Sequence, residues 1–173
     1  MNPRQPSLTS VCMPSFDIVS KVQMHEVDNA FNQAQKEIAQ RFDFKDTGSG
    51  IEKSPEAITI RSDSEDRANA ALAVVQEKLI KRKVSLRFLD VGKPEPTGKG
   101  GSRIVAKIKD GIEVDKARAI VSLLKEAKLK VQASMQESQV RVSGKNKDDL
   151  QMAIQAVRGH DFGLELQFVN FRD

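Results

Sequence analysis

The 173-residue chain has no tryptophan and no tyrosine, so eight phenylalanines are its whole stock of large rings. A protein that reads nucleic-acid bases by stacking them on rings would have little to work with. Cysteine occurs once, at Cys12, so no disulfide can close within the chain, and a reducing cytoplasm is the expected setting. No apolar run approaches the ~20 residues that span a bilayer, so no membrane partner is expected. The opening MNPRQPSLTSVC lacks the apolar stretch of a secretory signal. The two histidines, His25 and His160, stand at unrelated places, and no Cys or His cluster has metal-ligand spacing. There is no G-x-S-x-G and no base beside a nucleophile. These absences argue against an enzyme and imply neither cofactor nor metal.

The chain is 39% hydrophobic and 30% charged, enough apolar matter for a core under a soluble surface. Its net charge of +4 is uneven. Residues 1–96 hold 14 basic and 14 acidic side chains, whereas 97–173 hold 14 and 10. An anion bound by charge is expected on the second half.

The chain also repeats itself. HEVDNA (25–30) matches IEVDKA (112–117), and ITIRSDSEDRANAALAVV (58–75) matches VRVSGKNKDDLQMAIQAV (140–157). The offsets are 87 and 82, so the first copy carries five extra residues, around RFDFKDTGSG (41–50). Each copy reads strand–helix–strand–strand–helix–strand. In the first, SFDIVSKV alternates as a strand, and Val27, Phe31, Ala34, Ile38 and Phe42 recur at helical spacing. IEKS and AITIR are short strands, Ser64 caps a helix bearing Ala68, Leu72, Val75 and Leu79, and VSLRFLDV (84–91) alternates again. In the second copy, RIVAKIK (103–109), LKVQASM (129–135), QVRVS (139–143) and LELQFVNF (164–171) are the strands. Its helices carry Ala117, Ile120, Val121 and Leu124, then Leu150, Ala153, Ile154 and Val157 behind an Asn146 cap.

The expected fold is therefore α+β: two tandem ferredoxin-like βαββαβ domains, each a four-stranded antiparallel sheet with both helices on one face. The expected boundaries are a disordered extension over 1–12, domains over 13–91 and 102–173, and a Pro/Gly linker over 92–101.

Within RFDFKDTGSG, Phe42 continues the helical stripe and is expected in the core, Phe44 is expected to seal the helix end, and Arg41 and Lys45 are the candidate ligand contacts. PTGKGGSR (96–103) invites comparison with a phosphate loop, but the spacing is one residue too long, Gly100 stands where Ser or Thr should be, and the loop enters a strand. SGKNK (143–147) turns from strand to helix, where free N–H groups meet Lys145 and Lys147; Asn146, Asp148 and Asp149 would already satisfy that helix end. On the open face of the second sheet, alternation points Lys107 and Lys109 outward, with Lys130 and Arg141 beside them. Lys107, Lys109 and Arg141 are expected to cluster on neighbouring strands, and Lys21, Arg61 and Arg87 hold comparable places in the first copy. Like charges side by side without acidic partners suggest a bound anion. The third strands carry no ring, which excludes the usual base-stacking platform of RNA-recognition domains.

MPSFDIVSKV (13–22), RFDFK (41–45), KLKVQASMQ (128–136), VRVSGKNKDDLQ (140–151) and QFVNFRD (167–173) closely resemble the bacterial YajQ family of nucleotide-binding proteins. The resemblance covers nearly all of 13–173. It implies two ferredoxin-like domains that exchange their first strands, a cytoplasmic location and no enzymatic activity. The implied ligands are purine nucleotides, tRNA and, in some members, the cyclic dinucleotide cyclic di-GMP, with a transcription-regulating protein partner. Two departures stand out. The family begins at the methionine matching Met13, so 1–12 reads as an extension or a misplaced start. After Phe-Lys the family has Gly, where this chain has Asp46, whose carboxylate would oppose a phosphate. The expected function is nucleotide binding, as a cyclic di-GMP effector, through Lys107, Lys109, Arg141, Lys130, Lys21, Arg61, Lys145, Arg41 and Lys45. The alternatives are a tRNA-binding protein using the same basic surface and a pure protein-interaction module.

Overall fold

The structure is a computed structural model and describes residues 12–173. Of the extension expected over 1–12, all but the exposed Cys12 lies outside the described residues. The first copy runs β1 (Ser15–Val19), α1 (Met24–Gln40), β2 (Gly50–Lys53), β3 (Ala57–Ser62), α2 (Glu65–Lys81) and β4 (Leu89–Val91). A short β5 (Glu95–Pro96) precedes the second copy: β6 (Ser102–Ile108), α3 (Val114–Glu126), β7 (Val131–Gln136), β8 (Gln139–Gly144), α4 (Lys147–Arg158) and β9 (Gln167–Arg172). The fold is α+β, with two antiparallel sheets in a two-domain ferredoxin-like arrangement.

The first strands are exchanged. β1 lies between β8 and β9 in the sheet β7-β8-β1-β9. β6 takes the matching place in β2-β3-β6-β4, with β5 beside its N-terminal end. Two compact units result. The β1 unit holds β1 with residues 112–162 and 166–173; the β6 unit holds 20–111 and 163–165.

Each exchanged strand supplies the core of the unit it joins. Phe16 and Ile18 stand opposite Val142 and Val140 and are fully buried. Ala117, Ile120, Leu124, Leu150, Ala153, Ile154 and Val157 cover them from α3 and α4. In the β6 unit, Ile104 and Ala106 stand opposite Ile60 and Ile58, under Val27, Ala34 and Ile38 of α1 and Leu72, Val75 and Leu79 of α2. The alternation read from the sequence is the alternation of burial in β3, β6 and β8, whereas β1 buries Ser15 and Asp17 as well as Phe16 and Ile18.

Three expected elements differ. α1 stops at Gln40, because Arg41 turns extended (φ −69°, ψ 133°), and a 3-10 turn over Phe42–Phe44 follows. That turn resets the phase: Phe42 is 88% exposed and Phe44 only 6%. Phe42 is therefore not core, while Phe44 seals the helix end under the Arg41 guanidinium, 5.1 Å from its ring. The strand expected over 84–91 begins as a 3-10 turn, Leu86–Phe88, because the Ser85 hydroxyl and carbonyl accept the Arg87 and Phe88 N–H groups. The last strand starts at Gln167 rather than residue 164; Leu164 is instead buried in the β6 unit, its carbonyl accepting from Arg87 Nη1 at 3.3 Å. The five extra residues of the first copy fall after α1, where residues 41–49, with the added 3-10 turn, lead to β2, against only 127–130 between α3 and β7.

Candidate functional site

The open face of the β1 unit centres on a carboxylate. Asp17, opposite Arg141 on β8 and Val169 on β9, is wholly buried. Arg141 Nε donates to Oδ1 at 2.9 Å, Asn170 Nδ2 donates to Oδ2 at 3.0 Å, and Arg172 lies 3.6 Å from Oδ2. One extra residue on β9 places this grip, with Asn170 in the left-handed region at φ 54°. Burial by itself would raise the Asp17 carboxyl; the hydrogen bonds from Arg141 and Asn170 and the charges of Arg141 and Arg172 outweigh it and hold the group below its ordinary range. The hydrogen bond to Asp17 in turn raises Arg141.

This corrects the expected cation cluster. Lys107 is on β6 and Arg141 on β8, strands of different sheets, because exchange separates the first and third strands of each copy. Arg141 is an ion-pair partner of Asp17, not a member of an unpaired cluster. Lys107 stands between Ala57 of β3 and Asp90 of β4, and Lys109 follows β6 with its N–H on the Phe88 carbonyl. Arg61 is exposed and directly opposite Arg103, which pairs with Glu95 at 2.5 Å. Among the described residues neither Arg61 nor Lys107 has an ion pair. Lys21 and Lys45 are exposed. Arg41 is held by Asp43 at 2.7 Å and Glu37 at 3.5 Å. The hydrogen bond from Arg41 holds Asp43 below the usual carboxylate range. Asp46 has φ 58°, a conformation that glycine takes without strain.

The turn from β8 into α4 has a different character. Gly144 is buried, and its N–H donates to the Pro14 carbonyl at 3.1 Å, so the exchanged β1 walls this turn. A Cβ on Gly144 would meet Leu150 and Val131 at 3.3 Å and the Lys130 carbonyl at 3.4 Å, so the backbone is as close as it can come. Asn146 occupies the N-cap position, yet its side chain makes no cap bond; Nδ2 leans instead toward Asp149 Oδ2 at 3.5 Å. Among the described residues the first-turn N–H groups of α4 thus have no side-chain acceptor, contrary to the expected capped turn. Pro14, Lys145, Asn146, Lys147, Asp148 and Asp173 line an open cleft of about 410 Å³. Lys147 pairs with Asp173, whereas exposed Lys145 has no ion pair among the described residues.

The matching turn of the first copy, 61–65, is built the other way. The Ser64 hydroxyl accepts the Arg67 N–H at 3.4 Å, and Asp63, Glu65 and Asp66 crowd the helix end. The sequence carried this signal: R-S-D-S-E at one turn, S-G-K-N-K at the other.

A family model described as nucleotide-binding protein YajQ-like matches residues 14–172. The chain belongs to that family. A nucleotide-binding protein of Anaeromyxobacter sp. (strain K) is 54% identical over 162 residues, 93% of this chain and 100% of the relative. One of Trichlorobacter lovleyi is 50% identical over 161 residues, again 93% and 100%. Other residues weighed for chemistry sit in ordinary surroundings. His25 is exposed beside Glu26 at 3.3 Å, and the His160 ring lies 4.6 Å from Phe162. Among the described residues no group of three or more His, Cys, Asp or Glu could hold a metal, and no helix is long and apolar enough to cross a membrane.

Proposed function

We propose that this YajQ-family chain is a cytoplasmic nucleotide-binding protein that acts by binding rather than catalysis, and that the cleft at residues 143–147 takes the ligand's phosphates. The observation that carries the reading is the contrast between the two equivalent turns: capped and acidic at 61–65, uncapped and basic at 143–147. Uncapped N–H groups at a helix start, a glycine that lets the backbone approach, and an unpaired lysine are the parts of a phosphate cradle. Asp148 and Asp149 oppose a second charge there, so the affinity rests on Lys145 and on Lys147 once released from Asp173. The names of the two relatives support a nucleotide as the ligand; within that class our reading is a purine nucleotide or cyclic dinucleotide, with cyclic di-GMP and a transcription-regulating partner as its finest form.

Calorimetric titration with ATP, GTP, cyclic di-GMP and tRNA at two salt concentrations tests this. The wild type should bind a nucleotide or cyclic dinucleotide, and Lys145→Ala should weaken it by about tenfold, one charge-assisted contact. Unchanged affinity in Lys145→Ala would remove the cleft. A steep salt slope with tRNA alone, lost in Arg61→Ala/Lys107→Ala, would move the function to the sheet face and to RNA.

A further inference from the structure

The register of the two sheets permits a test of why the first strands are exchanged. The repeat equates Thr59 with Arg141, since 58–75 matches 140–157. In the structure Asp17 faces Arg141 and Val105 faces Thr59. Residues 15 and 17 of β1 therefore hold the same places as 103 and 105 of β6. Had each strand stayed with its own copy, Asp17 would face Thr59. Glu52 lies on Thr59's far side. Asp90 and Glu95, opposite 107 and 103, would flank Asp17 along the strand, with Arg61 diagonal to it. A buried carboxylate would then sit among three others. In the other sheet, Val105 would face Arg141, and Arg103 would take the place of Ser15 opposite Arg172. Three cations would gather there with Asp17 gone.

We propose that this charge pattern selects the exchanged arrangement: Asp17 is the address that sends β1 to the sheet holding Arg141, Asn170 and Arg172. The apolar alternation does not by itself make this choice, although Phe16 against Ile104 and Ile18 against Ala106 differ in volume. Phe16 and Ile18 on β1, and Ile104 and Ala106 on β6, present the same alternation to third strands that offer Ile58 and Ile60 or Val140 and Val142. Either pairing buries oil against oil, so the hydrophobic effect, being non-directional, separates them only by shape. A buried ion pair discriminates sharply, because a partnerless charge in a sheet interior costs far more than the pair returns. The outward residues of β6 obey the same logic. Arg103 meets Glu95, and Lys107 stands opposite Asp90, in the sheet where β6 is found.

Transferring the cation tests the proposal. In Thr59→Arg/Arg141→Thr, the address for Asp17 moves to the first copy's own third strand. Cross-strand nuclear Overhauser contacts distinguish the states, since residue 17 touches 141 in one and 59 in the other. The wild type should show contacts of 17 with 141 alone, and the double variant should show contacts of 17 with 59. Retention of the 17–141 contacts in the double variant, with an unchanged unfolding midpoint, would overturn the proposal. If the double variant does not fold, Asp17→Asn decides. Its β1 amides should exchange with solvent about tenfold faster or more relative to those of β3, the equivalent of one charge-assisted hydrogen bond. Wild-type protection of β1 in Asp17→Asn would equally reject the selection.

Discussion

Residues 61–65 and 143–147 stand at the same step of the repeat, a strand running into a helix, yet one turn is closed and the other open. At 61–65 a serine hydroxyl fills the helix end and acids surround it. At 143–147 the residue in the cap position turns its side chain away, and lysines stand where the acids were. The difference teaches that duplication preserved the scaffold while the chemistry at its loops diverged. The same holds across the two open faces. One buries a carboxylate at its centre, and the other distributes its acids along its flanks.

Exchange makes the comparison breakable from the wrong half of the chain. Phe16→Ala empties a site that is 0% exposed and ringed by Phe168 and Phe171, at a cost of about 3–5 kcal/mol. Hydrogen exchange should show the loss in 139–144 and not in 57–62. Ile104→Ala, about 2–5 kcal/mol, should do the reverse. Damage confined to the mutated copy's own third strand would contradict the topology. Next in size is the first copy's added 3-10 turn. Phe44→Ala should lower the unfolding free energy by about 3 kcal/mol. Phe42→Ala should stay within about 0.5 kcal/mol, by denaturant titration.

The two turns themselves come third. Ser64→Ala removes a cap bond and should cost about 1 kcal/mol, whereas Asn146→Ala should cost a few tenths at most, about the difference between a used and an unused cap. Equal losses would mean that the turns are alike after all. The smallest effect is on acid stability. Asp17's carboxyl is held below its ordinary 3.8, so its contribution is complete above about pH 5 and drains as pH falls through the folded value. Asp17→Asn should flatten that part of the melting-temperature profile, leaving the profile above pH 5 parallel to wild type.

Much of the fold was legible because it is written locally. The repeat, the alternation of Ile58 and Ile60 or Val140 and Val142, and the stripe of α2 each need only a few neighbouring residues. What failed depended on a single angle or a distant partner. Phe42 left the core because Arg41 leaves the helix, which no periodicity reveals, while Phe44 seals the helix end as its place suggested. The expected cluster of Lys107 with Arg141 failed because the sequence does not show that Arg141's partner is Asp17, 124 residues away. Asn146 is a favoured cap residue by type, and its amide turned to Asp149 instead.

The separation of Asp17 from Arg141 also has a meaning in time. A ribosome emits β1 first, but the neighbours that receive it come last. The β6 unit has nearly all of its chain once residue 111 has emerged, lacking only 163–165. β1 must wait a further 124 residues from Asp17 for its cation, roughly 6–25 s at a synthesis rate of about 5–20 residues per second. Throughout that interval the nascent protein carries an unpaired strand with Phe16 and Ile18 open to other chains. A trigger for aggregation, or a handle for a chaperone, is thus built into the first sixth of the message.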